Sequence, residues 1–381
     1  MTAIAIVALA AWLYLLLGRG MFWLFGQRDD SGVTPTSSAD APSVIAVVPA
    51  RDEADVIATA IVSLLAQDYT GPFRVVVVDD GSSDGTADAA RRAALASDRA
   101  ERLEILSGSE RPADWTGKLW AMEQGLRHAK TRAPSDYVLF TDADIAHASD
   151  NVNRLVARAE RDRLMLVSLM AKLQCRTVAE KFLIPAFVYF FAMVFPFQWS
   201  NEPSRRTAAA AGGCMLVRCE ALAAAGGLEA IHGAIIDDCA LAGILKPHGP
   251  IRLGLSGRVQ SLRSYGSLAE IGRMVARSAY AQLRYSPLLL LGTLFGMAIA
   301  YVAPVLLTIF AHGQVRFAGA LAWLLMALSF QPILRFYRLL PLWGLALPMI
   351  GACYAAFTLQ SAVEHWNGRG GMWKGRAQAM V

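Results

Sequence analysis

A doubly wound, mostly parallel α/β domain, with an N-terminal membrane anchor and C-terminal transmembrane helices, is the fold class this sequence predicts. Three observations predict it. β-Branched and apolar runs at 44–48, 74–79 and 137–141 alternate with helical patterns, which is the arrangement of a parallel sheet with crossover helices. Two of those runs end in carboxylates, Asp79-Asp80 and Asp142-Ala143-Asp144, and open α/β sheets bind ligands where their strands end. Of 381 residues, 55% are hydrophobic and only 18% charged, with a mean hydropathy of +0.38. A soluble domain averages about 25% charged, so part of this chain belongs in a bilayer.

The elements follow in order. Residues 1–18 carry no charged side chain, and the apolar pattern resumes after Arg19 as far as Phe25. No basic n-region opens this tract and no convincing cleavage site follows, so residues 1–28 are expected to be an uncleaved anchor. Residues 29–43 are polar and Pro/Ser-rich, a linker. The strand 44–48 leads into Pro49-Ala50-Arg51-Asp52-Glu53 and a helix to about Ala66. Four valines at 75–78 predict a strand buried on both faces, and Gly81 and Gly85 give the turn after it conformational freedom. A helix is expected from about Asp84, a short strand at 103–106, a helix over 117–129, the strand 137–141, and a helix from near Ser149.

Residues 178–199 interrupt that alternation with an apolar, aromatic segment containing Pro185 and Pro196. It is either a buried helix of the globular domain or a membrane-interface segment that guides a lipid toward the site; the flanking spans favour the second. At the C-terminal end, residues 286–311, 317–334 and 339–363 contain no Asp, Glu, Lys or Arg. A span needs about 20 residues, so the middle tract is marginal. Arg19 and Arg28 place the bulk of the chain inside by the positive-inside rule. Four full spans would then put the basic tail at 367–381, with Arg369, Lys374 and Arg376, outside. Either one tract is re-entrant or the number of spans is odd.

Composition excludes some functions. A formal charge of +5 gives no reason to propose nucleic acid as a partner, since juxtamembrane arginines explain it. Five cysteines form no CxxC pair and no zinc spacing, and are read as reduced, as on a cytosol-facing domain. Neither GxGxxG nor GxxxxGK[ST] occurs, which argues against a Rossmann dehydrogenase and a P-loop enzyme.

The acid clusters carry the chemistry. Asp142 and Asp144, two residues apart past a strand, suit a hard divalent cation that bridges two phosphates and neutralises a diphosphate leaving group. Capping of the following helix is the alternative. Asp79 and Asp80 are placed to accept hydrogen bonds from a nucleobase imide or a ribose hydroxyl. Asp237 and Asp238 open a helix, either as partners of its dipole or with one of them as general base for an acceptor hydroxyl. Lys118 follows Gly117 at a helix start, where it meets phosphate or is a solvated surface lysine. Arg273, Arg277 and Arg284 fall on one expected helix face, binding diphosphate oxygens or snorkelling to headgroups.

In their order along residues 44–285, residues 49–53, the turn at 79–86, Gly117-Lys118, the acids at 142–144, residues 212–218 and Asp237-Asp238 resemble the family 2 glycosyltransferases of GT-A fold. With its membrane frame over 286–366, the chain looks most like the hopene-associated glycosyltransferases of bacterial hopanoid clusters. Residues 373–376 are similar to those of carotenoid and ceramide glycosyltransferase relatives.

The resemblance implies inverting transfer of a single hexose-type sugar from a nucleotide-sugar donor, UDP by family analogy, to a membrane lipid acceptor, in its sharpest form a hopanoid. Mg2+ or Mn2+ is the implied cofactor. Pro49, Arg51, Glu53, Asp79, Asp80, Lys118, Asp142, Arg277 and Arg284 would bind the donor. Asp142 and chiefly Asp144 would hold the metal, Asp238 would be the base with Asp237 beside it, and Gly212, Gly213 and Cys214 would line the acceptor side. The implied setting is a multi-pass protein of the bacterial inner (cell) membrane, its catalytic domain cytoplasmic, partnered by the lipid bilayer and neighbouring lipid-biosynthesis enzymes.

Two departures matter. The family's Glu-Asp base motif is here Asp237-Asp238, and the QxxRW helix of processive members is reduced to Gln282-Leu283-Arg284-Tyr285, which argues for single transfers. A polyprenyl-phosphate sugar transferase is the near alternative. A non-catalytic scaffold is disfavoured by three intact acid clusters, and a nucleotidyltransferase by the lack of a Gly/Arg-rich loop at 49–53.

Overall fold

The computed structural model describes residues 1–29, 41–132, 134–373 and 376–377. Residues 30–40 of the expected linker, and Lys374, Gly375 and 378–381 of the expected tail, lie outside the described residues. The chain divides into two compact units: Gln27–Leu173 with Trp199–Arg263 and Met372–Val381, and Met1–Gly26 with Gln174–Gln198 and Ser264–Gly371.

The first unit is built on an eight-stranded sheet: β1 (Val44–Ala50), β2 (Phe73–Asp79), β3 (Leu103–Ser107), β4 (Tyr137–Thr141), β5 (Ile145–His147), β6 (Leu166–Lys172), β7 (Cys214–Arg218) and β8 (Ile251–Ser261). Their order is β3-β2-β1-β4-β7-β6-β8-β5. The half from β3 to β4 is parallel, as the alternation of strands and helices requires. Beyond it the expected mostly parallel sheet gives way to a mixed one. β7 runs antiparallel between β4 and β6, and β5 antiparallel to β8, while β6 and β8 are parallel.

Two cores sandwich the sheet. Along β1 the side chains alternate between them: Val44, Ala46, Val48 and Ala50 join helix Ile57–Leu65 on one face, and Ile45 and Val47 join helix Gly117–Arg132 on the other. That period of two is the pleat of a strand buried on both sides. The second helix lies close because Gly125 has no side chain; a Cβ there would come 2.5 Å from Val47 Cγ1. The carboxyl ends of β1, β2 and β4 thereby deliver Glu53, Asp79-Asp80 and Asp142–Asp144 to one edge of the unit.

In the other unit, Pro287–Phe310, Gly313–Phe336 and Pro341–Trp366 are each long and apolar enough to cross a membrane. The middle tract, marginal from its uncharged run, gains length because its helix continues past Arg316 and Arg335 at its two ends. Thr2–Gly18 is an apolar helix of 17 residues, short of the roughly 20 that span unaided. Helix Val178–Val194 starts at a capping box between Thr177 and Glu180. Within this unit, Tyr189 exchanges a hydrogen bond with Ser329 at 2.6 Å, and Leu183 O accepts from Tyr354 at 3.0 Å. Arg273 and Arg277 lie on helix Leu268–Gln282, but Arg284 comes after its end with φ 52°. The three arginines therefore do not share one helix face, because the helix stops before the third.

Candidate active site

The edge of the α/β unit gathers three carboxylates, Asp142, Asp237 and Asp238, around one ammonium. Lys118, in the first turn of Gly117–Arg132, places Nζ 2.9 Å from Asp142 Oδ1 and 3.0 Å from Asp237 Oδ2. Lys118 is thus not a solvated surface residue. Asp238, beside Asp237 in the first turn of helix Asp237–Leu245, receives Gly212 N–H on Oδ2 at 2.9 Å and Cys239 N–H on Oδ1 at 2.7 Å. Burial, reinforced by the charge of Asp237, pushes Asp238 up to about 6, against the opposing pull of Lys118 and the two backbone donors. Burial also raises Asp142, with Lys118 opposing and Asp144 adding to the rise. For Lys118 itself burial works against the ammonium, yet the charges of Asp142, Asp237 and Asp238 outweigh it and hold its pKa above the ordinary value. Such divergent pKa values in neighbouring groups are a mark of functional sites.

A second ionic chain runs beside the first. Arg263, two residues past β8, donates from Nη2 to both oxygens of Glu53, at 2.6 and 2.8 Å, and from Nε to Asp144 Oδ2 at 3.3 Å. Ser261 Oγ donates to the same Asp144 oxygen at 3.3 Å. Arg51 reaches Asp80, with Nη1 3.5 Å from Oδ2 and a hydrogen bond to its carbonyl oxygen. Asp79 holds the turn after β2 by accepting from Ser82 N–H at 2.9 Å. A groove of about 440 Å3 opens there, lined by Asp80, Gly81, Gly108, Ser109, Glu110 and Arg111.

The expected donor residues thus divide. Arg51, Glu53, Asp80, Lys118 and Asp142 belong to these chains, Asp79 to the turn, and Pro49 is a buried residue of β1 paired with Val78. Arg277 and Arg284 belong to the other unit. Arg263 and Arg111 were not singled out from the sequence. Arg263 stands just past an unrecognised strand and Arg111 in the loop after β3, and a lone arginine leaves no pattern in either place.

Residues 45–225 match the model of glycosyl transferase family 2. Residues 45–225 are a family 2 glycosyltransferase domain. The chain is 32% identical over 158 residues to an N-acetylglucosaminyltransferase of Rhizobium leguminosarum bv. viciae, covering 40% of this chain and 34% of that one. It is 34% identical over 139 residues to an N-acetylglucosaminyltransferase of Neorhizobium galegae, covering 35% and 30%. The matches thus span about a third of the length of these curated relatives. A mannosyltransferase of Pyrobaculum calidifontis, solved with GDP-Man and Mn2+, shares the fold at a TM-score of 0.55 and 22% identity, over 96% of this chain and 98% of that one.

The glycosyltransferase domain offers hard oxygen ligands for a divalent cation. Asp142 makes its contact to Lys118 through Oδ1, and Asp144 its contacts to Arg263 and Ser261 through Oδ2. Each carboxylate keeps a second oxygen for a metal. No group of three His, Cys, Asp or Glu among the described residues could hold a metal alone. The pair therefore fits an ion that completes its shell with donor phosphates and water, as Mg2+ commonly does.

Gly212 packs close to the ion cluster: a Cβ there would lie 3.2 Å from Lys118 Nζ and 3.5 Å from Asp238 Oδ2. Cys214 is buried in β7, and burial lifts its thiol to about 12; its side chain belongs to the core, not to an open surface. The segment before it is tied down by Lys246, whose Nζ donates to the carbonyls of Trp199, Ser200 and Thr207 at 3.3, 2.7 and 2.6 Å. Lys246→Met orphans these carbonyls, and hydrogen bonds to charged groups are worth about 1.5–3 kcal/mol each. Amide exchange across 199–207 should rise at least tenfold in the variant. Unchanged exchange would show the staple to be idle.

Proposed function

We propose that the protein is an inverting glycosyltransferase that moves one sugar from a nucleotide-sugar to a lipid in the bacterial inner membrane, its α/β unit on the cytoplasmic side. The observation that carries this reading is Asp238, held by Gly212 and Cys239 with a pKa lifted to about 6. A carboxylate with its pKa just below the working pH is ionised and still accepts a proton readily.

The donor's nucleoside would lie in the groove at Asp80 and Arg111, and its diphosphate toward Asp142, Asp144, Arg263 and Lys118. Mg2+ or Mn2+ held by Asp142 and Asp144 would supply positive charge to the departing diphosphate. The acceptor hydroxyl, beside Gly212 and Gly213, attacks the anomeric carbon while Asp238 takes its proton. The new glycosidic bond forms as the bond from carbon to diphosphate oxygen breaks, with inversion. Asp237, against Lys118, neighbours the base.

The names of the relatives support UDP-GlcNAc and GDP-Man as the first donors to try. Three helices able to span a bilayer support a lipid acceptor, delivered by neighbouring lipid-biosynthesis enzymes; the hopanoid is its sharpest version. Within this reading Thr2–Gly18 is the anchor, residues 178–199 lie at the membrane interface, and Arg277 and Arg284 snorkel to lipid headgroups. Calorimetry of UDP and GDP binding in Mn2+ tests the donor half. Asp144→Ala should abolish the part of the affinity that needs Mn2+, at least tenfold. Equal affinity with and without Mn2+ in the wild type would refute the metal assignment.

A further inference from the structure

Beneath the acidic turn lies a chain of polar side chains that the transfer chemistry does not use. His147, on β5, is 6% exposed, and Thr141 and Asn151 are buried with it. His147 Nε2 lies 2.9 Å from Thr141 Oγ1, and Nδ1 lies 2.9 Å from Asn151 Nδ2. Thr141 donates to Gly213 O at 2.8 Å. Burial drives the imidazole down to about 4, so it is neutral at physiological pH.

The direction of every bond in the chain then follows. A carbonyl oxygen only accepts, so the single hydroxyl proton of Thr141 goes to Gly213. Thr141 must therefore accept from His147, which places the imidazole proton on Nε2. Nδ1, left without a proton, accepts from the amide of Asn151. Asn151 Oδ1 meanwhile is buried without a hydrogen-bond partner among the described residues. A buried network left incomplete in this way costs stability, which asks for a role beyond packing.

The far end supplies one. Gly213 follows Gly212, whose N–H holds Asp238 Oδ2 at 2.9 Å. We propose that His147 and Thr141 are positioning residues of the transfer: the chain from Asn151 through His147 and Thr141 fixes the Gly212-Gly213 turn, and through it the carboxylate of Asp238. The inference rests on Asp238 being the base. A misplacement of about 1 Å at a reacting group costs on the order of a hundredfold in rate, which is the scale on which such a brace acts.

The test uses the full chain in membranes, with UDP-GlcNAc and GDP-Man as donor probes. Thr141→Val should lower kcat at least tenfold while the donor KM stays within twofold. Amide exchange at Gly212 should rise at least tenfold, and Thr141→Ser should restore both. Nitrogen NMR of labelled histidine should find His147 as the Nε2–H tautomer. Unchanged Gly212 exchange in Thr141→Val, or an Nδ1–H imidazole, overturns the proposal. So does a parallel fall of kcat, donor affinity and unfolding temperature without rescue by serine, which is the signature of a purely structural role. If neither probe is turned over, the exchange at Gly212 decides. Asp238→Asn separates the two layers: inactive Asp238→Asn beside fully active Thr141→Val refutes the brace alone, whereas active Asp238→Asn removes the base and the brace together.

Discussion

Asp238→Asn should lower transfer about a thousandfold, within the range that loss of a general base costs, while donor affinity changes little. The single amide oxygen keeps Gly212 N–H or Cys239 N–H but not both, so one of the two backbone bonds at 2.9 and 2.7 Å is lost along with the charge. What disappears is the capacity to take a proton. In the wild type kcat should rise with pH to a plateau above about 6, where Asp238 is ionised. Below that it should fall about tenfold per unit, as for a single ionising base.

The same group makes a signed stability prediction. Its folded pKa lies above the ordinary carboxylate value of 3.8. Its contribution to stability is therefore fully present below the unfolded pKa and is lost as pH rises through about 6. Thermal unfolding from pH 4 to 7 should show this slope in the wild type and lose it in Asp238→Asn. A variant with wild-type turnover would transfer the role of base elsewhere, or point to a phosphate acceptor that needs none.

Lys118→Met should be the most disruptive single change. The ammonium is shared by Asp142 and Asp237 at 2.9 and 3.0 Å and is only 18% exposed. Breaking a buried pair from one side leaves charge without compensation and costs about 3 kcal/mol. Activity should fall at least a hundredfold. Because Lys118 holds Asp238 down, the acidic limb of any residual pH profile should also move upward. Lys118→Arg should recover stability better than activity, since a planar guanidinium replaces a point charge. Wild-type stability and turnover in Lys118→Met would return Lys118 to the solvated surface.

The parts of the fold that were legible in the sequence are those set by local pattern. β1, β2 and β4 each contain a run of apolar residues, and the acids at their ends announce a site. β8 is interrupted by Gly254 and Gly257, and glycine weakens a strand signal. β7 was visible only as part of a motif. Its antiparallel insertion between β4 and β6 is a tertiary choice that no local period encodes. The site divides the same way. Its acids stand in recognisable clusters, but Arg263 meets Glu53 across 210 residues of sequence, and that pairing exists only once the sheet has formed. The helix expected to carry three arginines ends at Gln282, since nothing in the sequence marks the left-handed turn at Arg284 and Tyr285.

Transfer of a sugar to lipid with Asp238 as base can be measured directly. The direct measurement follows label from UDP-GlcNAc, GDP-Man and further UDP- and GDP-sugars into organic-extractable lipid. It is made in membranes that contain the wild type or Asp238→Asn, with divalent metal or with chelator. Label is expected in a base-stable lipid product, dependent on metal and lost in Asp238→Asn. Equal labelling by the variant, or an acid-labile sugar phosphate as product, would contradict it.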